Sequence, residues 1–511
     1  MNPSLTRQNG RRIAQGAGLI GSLFLSGCSP VRRAVASGFA YPFTHCEMGA
    51  SVDCAHYPDT PGMKRIDTTL GYRFRNTPAS STNSDSLFVI LVLSGGGTRS
   101  AAFSYGVLEE LKRTVIPGTT RTLLDEVDVI SSVSGGSFPA AFLALNGPNK
   151  LEDFRSQFLN WDAQSELWHS VLWQSTRNRL ASQYFSRIDV AIEKWNEHLF
   201  HGATFDVLLG RRPFLMLNAT DIAKGSVFPF VQDHVDPLCI DLSRFEVARA
   251  VGASGAFPPL LNPMTLQNHA TSCPYIPPEW VVRTLREDEQ TTGSDYRAAE
   301  DLVSYTNSAT RPYVHLTDGG IGDNIGARNI SRMLRSKYSE VPLTEMIRRG
   351  AVKRVVVIVV NAATESEDVI DKRPYAPGML STIFGAIGAP MDNYSRASIL
   401  DLWDAVAERE NKEEAIAHCP FLECHSYYTI GLSFAAIRDA DERTYFQRLP
   451  TSYALSSDRV DALVNKGETL LRTNVEFNRL LCDMGTTTWA SRQSDANCAR
   501  NAKAGTLYVR P

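Results

Sequence analysis

The chain has 511 residues, of which 43% are hydrophobic and 21% are charged, an ordinary globular composition with enough length for one large core and additions to it. Because 52 Lys and Arg are opposed by 55 Asp and Glu, the formal net charge is only -3. This balance leaves no polybasic surface, so nucleic acid is not an expected partner and general electrostatic attraction to anionic lipid is weak. Oligomeric state is not indicated.

Residues 1–27 have the pattern of a secretory signal peptide. Arginines precede a mostly apolar run over residues 13–25, which is shorter than the roughly 20 residues that a membrane-spanning helix needs. Small residues and a cysteine follow that run. The pattern therefore predicts export rather than a transmembrane helix.

The stretch "LSGC", which ends at Cys28, resembles the lipobox of bacterial lipoproteins. That resemblance implies that residues 1–27 are removed and that Cys28 is lipidated and anchors the chain to a membrane. The alternative is a plain signal peptide with a chance cysteine. By the same resemblance, Ser29 favours the outer membrane, on its periplasmic face or at the cell surface.

Residues 28–84 are rich in Pro, Ser, Thr, Asn and Gly, which predicts a tether with a small disulfide-closed loop. Eight cysteines remain besides Cys28, and an even set in an oxidising compartment indicates disulfides. Spacing alone leaves the connectivity open. Clustering along the chain suggests the pairs Cys46–Cys54, Cys239–Cys273, Cys419–Cys424 and Cys482–Cys498. No pair has CxxC spacing with nearby histidines, so no metal site is expected.

Residues 85–365 alternate between strand and helix patterns and are the predicted catalytic domain. The run "SLFVILVLS" is apolar throughout, as expected of a parallel strand buried on both faces, and the helical pattern "AAFSYGVLEELKR" follows it. The strand "EVDVISSV" and the helix "GGSFPAAFLAL" repeat that order. This alternation predicts a doubly wound α/β sheet. Further strand candidates are "PFLMLNATDI", "YVHLTDGG" and "VKRVVVIVVNAA".

Residues 366–511 are predicted to be a C-terminal cap or extension that packs on the core. Residues 375–390 carry no charge and are interpreted either as an element that touches lipid or as a buried part of the cap. Residues 458–481 repeat apolar side chains at helical intervals, which predicts a helix packed on the sheet. Three tryptophans nearer the N-terminus are interpreted as packing of a helical cap, with lipid contact as the alternative: Trp161, Trp168 and Trp173.

The segment "SVSGG", residues 132–136, lies at a strand-to-helix turn and is one residue away from the G-x-S-x-G nucleophile elbow. Small residues on either side of that serine let the strand and the helix pass closely. Ser134 is therefore the candidate nucleophile, with Gly136 as the small residue behind it. Ser132 stands where the first glycine of the elbow usually is.

The glycine run after the first strand is a candidate anion site. Gly95, Gly96 and Gly97, followed by Arg99, place unobstructed N–H groups at the N-terminus of a helix. A phosphate is one possible ligand, but neither the Walker lysine nor the G-x-G-x-x-G spacing is present. An oxyanion hole for acyl transfer requires fewer features than a phosphate site and is the preferred interpretation.

These motifs together resemble the patatin-like phospholipases, whose marks are a G-G-G-x-[RK] loop, a G-x-S-x-G serine and a later D-G-[GA] aspartate. The third mark is Asp318 with Gly319 and Gly320, in "VHLTDGGIGDNIG". Two softer matches, "NATDIAKG" and "ARAVGASGAFPPLL", lie between, and the resemblance covers roughly residues 86–331. It implies a three-layer fold with a mainly parallel central sheet, helices on both faces and a helical C-terminal extension.

The resemblance also implies a Ser-Asp dyad. Ser134 would attack an ester carbonyl, Asp318 would accept its proton, and Gly95, Gly96 and Gly97 would stabilise the oxyanion. Burial of the carboxylate would raise its pKa toward the working pH. The implied substrate is membrane phospholipid or a related acylglycerol, with no cofactor and no metal. Supporting roles fall to Arg99, which braces the glycine loop or meets a substrate phosphate, and to Gly136, Gly319 and Gly320.

Two other functions remain open. A Ser-His-Asp triad lipase or esterase would use a histidine after the aspartate in the chain, and His418 and His425 are in that order, although they sit beside cysteines in what is expected to be an exposed loop. His315 is expected to be a packed core or supporting residue. The second alternative is a catalytically weak lipoprotein that binds lipid or a partner, which the serine at position 132 keeps open.

Overall fold

The computed structural model describes residues 70–77, 83–84, 86–182, 184–258, 260–273, 275–287, 293–335, 352–364, 374, 378–417 and 426–485. Several predictions fall outside these residues. They are the signal peptide, the lipobox at Cys28, most of the tether, the pairs Cys46–Cys54 and Cys419–Cys424, and the histidines His418 and His425.

One sheet of eight strands forms the centre of the described structure, in the order β5-β6-β3-β2-β1-β7-β8, with β4 paired to β3. The strands are β1 (Leu87–Leu93), β2 (Val127–Val133), β3 (Phe214–Asp221), β4 (Ser226–Pro229), β5 (Met264–Gln267), β6 (Tyr313–Thr317), β7 (Arg354–Asn361) and β8 (Ser426–Ser433).

The sheet is mainly parallel. The pairs β1–β2, β1–β7, β2–β3 and β7–β8 are parallel, whereas β4 and β6 run antiparallel to β3, and β5 runs antiparallel to β6. Every residue of β1, β2 and β3 is buried, so both faces of the sheet are covered at its centre. The predicted α/β fold is confirmed, with the short strands β4 and β5 as additions that the sequence patterns did not indicate.

Helices surround this sheet. Those of the described residues are α1 (Gly97–Arg113), α2 (Ser137–Asn146), α3 (Ala163–Leu172), α4 (Gln174–Leu180), α5 (Arg187–Trp195), α6 (Gln232–Val235), α7 (Val247–Ser254), α8 (Glu279–Glu287), α9 (Ser294–Ser304), α10 (Gly320–Asp323), α11 (Arg328–Arg335), α12 (Met379–Ala417), α13 (Ala440–Gln447), α14 (Ser457–Thr473) and α15 (Val475–Asp483).

The segment after residue 365 contributes to the central sheet as well as covering it. Strand β8 pairs in parallel with β7 over its whole length, from Arg354 opposite Ser426 to Asn361 opposite Ser433. The uncharged residues 379–390 form the first part of α12, a helix of 39 residues that contains Pro390. Residues 385–390 are exposed or half-buried. Contact of this part of α12 with lipid stays a prediction.

Helix α14 crosses α1 at a contact between glycines. A Cβ atom on Gly106 would lie 2.1 Å from the carbonyl oxygen of Val464, and one on Gly467 would lie 2.4 Å from that of Phe103. Because glycine lacks a Cβ, the two helix backbones approach closely here. Helix α14 therefore packs across α1, the helix that continues the glycine loop, and it also reaches β8.

A disulfide joins Cys239 and Cys273, whose Cα atoms lie 5.9 Å apart. This pair was predicted and is confirmed. It ties the segment after α6 to the loop after β5, on the antiparallel side of the sheet. Cys482 is also disulfide-bonded, while Cys498, its predicted partner, lies outside the described residues.

Candidate active site

The candidate nucleophile occupies a sharp turn between β2 and α2. Strand β2 ends at Val133, a single 3-10 turn spans Ser134–Gly136, and α2 begins at Ser137. Ser134 has a φ angle of +48°, a left-handed backbone conformation that few side-chain-bearing residues adopt. The strain lifts the Ser134 side chain out of the strand direction, as a nucleophile elbow requires.

The hydroxyl of Ser134 donates a hydrogen bond to Oδ2 of Asp318 at 2.8 Å. The second carboxylate oxygen, Oδ1, accepts the N–H group of Gly320 at 2.8 Å. Ser134 is 7% exposed and Asp318 is 3% exposed. Burial raises the pKa of the Asp318 carboxyl to about 6, although its bonds with Gly320 and Ser134 act in the opposite direction. The pair therefore combines a hydroxyl with a carboxylate that can take its proton near neutral pH.

The turn that carries Asp318 is fixed through its backbone. Its N–H group donates to the carbonyl of Ala256 at 3.1 Å, and its own carbonyl accepts the hydroxyl of Thr220 at 2.9 Å. A Cβ atom on Gly319 would lie 2.2 Å from the carbonyl oxygen of Asn218. Glycine is therefore needed at position 319 for the turn to lie against β3.

Position 320 also leaves no room for a side chain. A Cβ atom on Gly320 would lie 2.8 Å from Oδ1 of Asn324 and 2.9 Å from Oδ1 of Asp318. The small residues after the aspartate thus give its carboxylate direct access to the Gly320 N–H group.

Ser254, at the end of α7, connects the Ser134 turn to strand β3. Its hydroxyl oxygen accepts the backbone N–H of Ser134 at 2.9 Å and donates to the carbonyl of Asn218 at 2.7 Å. Ser137 lies 3.0 Å from the same hydroxyl and donates to Ser132 at 3.2 Å. Sequence reasoning did not single out Ser254. The available signal was the segment "ARAVGASGAFPPLL", which resembles a connecting segment of patatin-like phospholipases but does not indicate what its serine contacts.

The serine at position 132 fits where a glycine is usual. Its side chain is buried and its hydroxyl accepts the Ser137 hydroxyl, so it forms part of the network rather than an obstruction in the turn.

The glycine loop lies against the elbow, and its three members differ. The N–H group of Gly95 donates to the carbonyl of Asn324 at 2.9 Å, so Gly95 departs from the expectation that its N–H faces an oxyanion. A Cβ atom on Gly95 would lie 2.2 Å from Oδ1 of Asn324, which explains the glycine by close approach. Within the described residues, the N–H groups of Gly96 and Gly97 donate to no carbonyl. They begin α1 and are the available donors for an anion.

Arg99 lies beside the glycine loop, since a Cβ atom on Gly96 would be 3.0 Å from its guanidinium. It is 3% exposed, and its guanidinium donates to the carbonyls of Ala362 at 3.0 Å and Leu449 at 2.6 Å. Burial lowers the pKa of Arg99 to about 10, so the group stays charged at neutral pH. Of the two roles expected for Arg99, this geometry fits bracing and does not present the guanidinium to a substrate phosphate.

An apolar pocket adjoins the site. The hydroxyl of Tyr453 donates to the carbonyl of Gly255 at 2.6 Å, next to Ser254. Burial and the nearby charge of Asp318 raise the pKa of Tyr453. The pocket is lined by Gln164, Leu167, Trp168, Val171, Arg187, Val190, Leu260, Leu261 and Tyr453.

The three cap tryptophans differ in exposure. Trp161 stacks on His198 with ring centroids 4.1 Å apart and donates to Glu166 at 2.7 Å. Trp168 is 39% exposed and Trp173 is 70% exposed. Packing therefore accounts for Trp161, and lipid contact stays a prediction for the other two.

No histidine among the described residues hydrogen-bonds to Ser134 or Asp318. His315 is exposed, and its Nδ1 lies 3.0 Å from the hydroxyl of Thr265. The expectation that His315 packs in the core or supports the site is wrong, because alternate residues of β6 face solvent.

One group of side chains in the described residues has the spacing to hold a cation: Glu166, Glu197 and His198. The ammonium of Lys194 already pairs with both carboxylates, at 3.1 and 2.7 Å. The positive charge of Lys194 therefore already balances the charge of these carboxylates.

Among the described helices, none combines the length and the apolar character needed to cross a bilayer.

A family model for patatin-like phospholipases matches residues 91–330. Among solved structures, human GIVD cytosolic phospholipase A2 aligns with 90% of this chain and 67% of its own, at 11% identity and a TM-score of 0.39. The same human protein in complex with methyl gamma-linolenyl fluorophosphonate inhibitor and terbium chloride aligns with 90% of this chain and 64% of its own, at 12% identity and a TM-score of 0.36. No curated protein sequence is a significant match.

Proposed function

We propose that the chain is a lipid acyl hydrolase that cleaves acyl esters of phospholipid or related acylglycerol with a Ser-Asp dyad. The match of residues 91–330 to the patatin-like phospholipase model supports this proposal. Ser134 is the nucleophile and Asp318 the general base. The observation that carries the proposal is the 2.8 Å hydrogen bond from the Ser134 hydroxyl to Asp318, in a buried setting.

The proposed reaction has two halves. Oγ of Ser134 attacks the ester carbonyl carbon while its proton passes to Oδ2 of Asp318, and the N–H groups of Gly96 and Gly97 donate hydrogen bonds to the developing oxyanion. The tetrahedral intermediate expels the alcohol, which takes the proton from Asp318. Water then gives its proton to Asp318 and attacks the acyl-serine, and the fatty acid leaves as the proton returns to Ser134.

The apolar pocket beside the site supports an acyl chain as the group bound. Its lining is dominated by aliphatic and aromatic side chains, and Tyr453 connects it to Gly255, the residue next to Ser254. A fatty acyl chain gains by leaving water for such a surface, by roughly 0.8 kcal/mol for each buried methylene.

Trapping with a fluorophosphonate probe tests the dyad. We expect the mature protein to be labelled and to release fatty acid from phospholipid and from a short soluble ester, with labelling lost in Ser134→Ala and both hydrolyses crippled in Asp318→Asn. Ser175→Ala, an exposed serine outside the site, is the matched control. A triad would instead require that His418→Ala or His425→Ala abolish activity while Asp318→Asn is mild. A folded protein that takes no label would favour a lipid-binding lipoprotein.

We also propose that the protein is exported and anchored through lipid on Cys28, with the outer membrane as its location. The anchor would raise the encounter of Ser134 with membrane substrate. A Cys28→Ala protein, exported by a cleavable signal peptide, should hydrolyse a soluble ester as well as the wild type does but membrane phospholipid more slowly. Equal hydrolysis of membrane phospholipid would contradict the role of the anchor.

A further inference from the structure

A second pocket lies between β4, α9, α11 and α12, and arginines line it. The residues that matter are Arg297 on α9 and Arg328, Arg332 and Arg335 on α11. Asp301 and Asp401 line the same pocket. Lipid acyl transfer as proposed above uses none of these residues.

Three of the four guanidinium groups make no ion pair within the described residues. Arg335 pairs with Asp401 and Glu408. Arg328 instead donates to the hydroxyl of Ser398 at 3.3 Å and lies 5.3 Å from the ring centre of Tyr394.

The remaining two arginines, Arg332 and Arg297, have fewer side-chain contacts than Arg328 among the described residues. Arg332 lies 5.9 Å from the ring centre of Trp280. Arg297 is exposed and has no side-chain partner in the described part of the chain. The pocket therefore concentrates positive charge that its own carboxylates do not neutralise.

The acidic and imidazole groups of the pocket do not cancel its excess of positive charge. Burial raises the pKa of Asp301. Burial and the charge of Arg332 lower the pKa of His234 to about 3, so His234 stays neutral.

Spacing of the arginines suits an oxyanion. Arg328 and Arg332 are four residues apart on α11 and so neighbour each other on one face, where like charges repel. An anion between them would relieve that repulsion. Guanidinium groups present planar forks of N–H donors that match phosphate oxygens. Aromatic rings lie beside Arg328 and Arg332, at 5.3 and 5.9 Å from the guanidinium carbon.

We propose that Arg297, Arg328 and Arg332 bind a phosphate group, free or as a lipid headgroup, at a site separate from Ser134. This inference does not rest on the hydrolase activity. Helix α12 connects the two sites. Met391 lies against Gly320, since a Cβ atom there would be 2.9 Å from its Cε, and Ser398 in the pocket is seven residues further on, about 10 Å along the helix.

Binding is measured on the full chain carrying Ser134→Ala, so that lipid probes are not hydrolysed, and Cys28→Ala, so that no lipid anchor binds the vesicles. The probes are inorganic phosphate, followed by calorimetry, and phosphatidylcholine vesicles with or without phosphatidic acid, followed by sedimentation. We expect Arg297→Gln/Arg332→Gln to weaken binding by about tenfold or more. The matched control, Arg177→Gln/Arg459→Gln, removes the same charge from two exposed positions outside the pocket and should bind as the parent does.

The two probes separate the sources of the phosphate. Arginine-dependent binding of inorganic phosphate without vesicle recruitment identifies a free phosphate, and arginine-dependent recruitment by phosphatidic acid identifies a headgroup. Arg297→Gln alone, at an exposed position, guards against misfolding of the double variant and should also weaken binding. The proposal is overturned if neither probe binds, or if the pocket variants bind as tightly as the control.

Discussion

Gly135 lies so close to Gly97 that a Cβ atom on Gly135 would stand 2.0 Å from the Gly97 carbonyl oxygen and 2.6 Å from its nitrogen. The residue after the nucleophile therefore rests directly on the peptide that begins α1. This contact sets the distance between the Ser134 hydroxyl and the N–H groups of Gly96 and Gly97. The elbow and the glycine loop form one unit, and its geometry depends on the missing side chain.

Gly135→Ala should separate these two turns. Because the atoms in the way are backbone, the added methyl can be accommodated only by movement of the loop, and we expect kcat/KM to fall by about 10² to 10³-fold, as when an oxyanion donor is lost. Ester hydrolysis measures the effect. Gly388→Ala is the control, since a Cβ atom there meets nothing within 4 Å. Activity of Gly135→Ala within twofold of the wild type would contradict the proposed oxyanion site.

Asp318 should impose a pH dependence on activity. Burial raises the pKa of its carboxyl to about 6, and only the ionised form can accept the Ser134 proton. We expect kcat/KM to rise with pH up to about 6 and then to level off. The measurement is hydrolysis of a soluble ester whose own rate of spontaneous hydrolysis is subtracted at each pH. A profile that is flat from pH 5 to pH 8 would argue against Asp318 as the base.

The same carboxyl should make stability fall as pH rises. The pKa of Asp318 is about 6 in the folded protein and about 4 in an unfolded chain. Between these values the unfolded state has lost the proton that the folded state keeps, so the free energy of unfolding decreases with pH. The buried carboxyl contributes about 3 kcal/mol below pH 4 that is lost as pH rises through 6.

Comparison with Asp318→Asn isolates that contribution, because the amide does not titrate and other groups cancel. Urea unfolding of both proteins at pH 3.5 and pH 7.5 gives the difference in their free energies of unfolding. We expect the free energy of unfolding of the wild type, relative to that of Asp318→Asn, to be lower at pH 7.5 than at pH 3.5. A constant difference would mean that the carboxyl is not desolvated.

Ser254 should act as a positioning residue for Ser134. Ser254→Ala leaves the Ser134 N–H and the Asn218 carbonyl without their shared partner, at a cost of about 1 to 3 kcal/mol in stability. Misplacement of the nucleophile should lower kcat by about 10 to 100-fold, with KM unchanged. Ser331→Ala is the matched control, since Ser331 is also buried but its hydroxyl has no hydrogen-bond partner in the described structure. Equal effects of the two substitutions would reduce Ser254 to a packing residue.

Sequence patterns predicted the strand-turn-helix segments, because neighbouring residues decide their conformation. The apolar runs of β1 and β2 and the glycines after them indicate a strand, a tight turn and a helix, because close backbone approach requires residues without side chains. Motif order then brought Ser134 and Asp318 into one hypothesis, although 184 residues separate them.

Contacts between distant segments were beyond such patterns. The Gly95 N–H is occupied by Asn324, and Arg99 is held by carbonyls at positions 362 and 449. Neither partner follows from spacing, since both depend on how the sheet and the C-terminal segment pack. Strand β8 alternates buried and less buried residues only from Tyr428 onward, and its pairing with β7 shows that the sheet extends past residue 365.

Val190 tests whether the apolar pocket holds the acyl chain. Its side chain is 3% exposed and lines the pocket together with Tyr453, so Val190→Phe should fill space that a long chain needs. We expect kcat/KM for a long-chain phospholipid to fall by about tenfold or more, and for a short soluble ester to change little, because a pocket discriminates by the methylenes it can accept. Val475→Phe, at a position 63% exposed, is the matched control and should leave both rates unchanged. Equal losses on both esters would mean that the substitution disturbs the dyad rather than the binding of the chain, and the acyl group would then have to lie elsewhere along the cap.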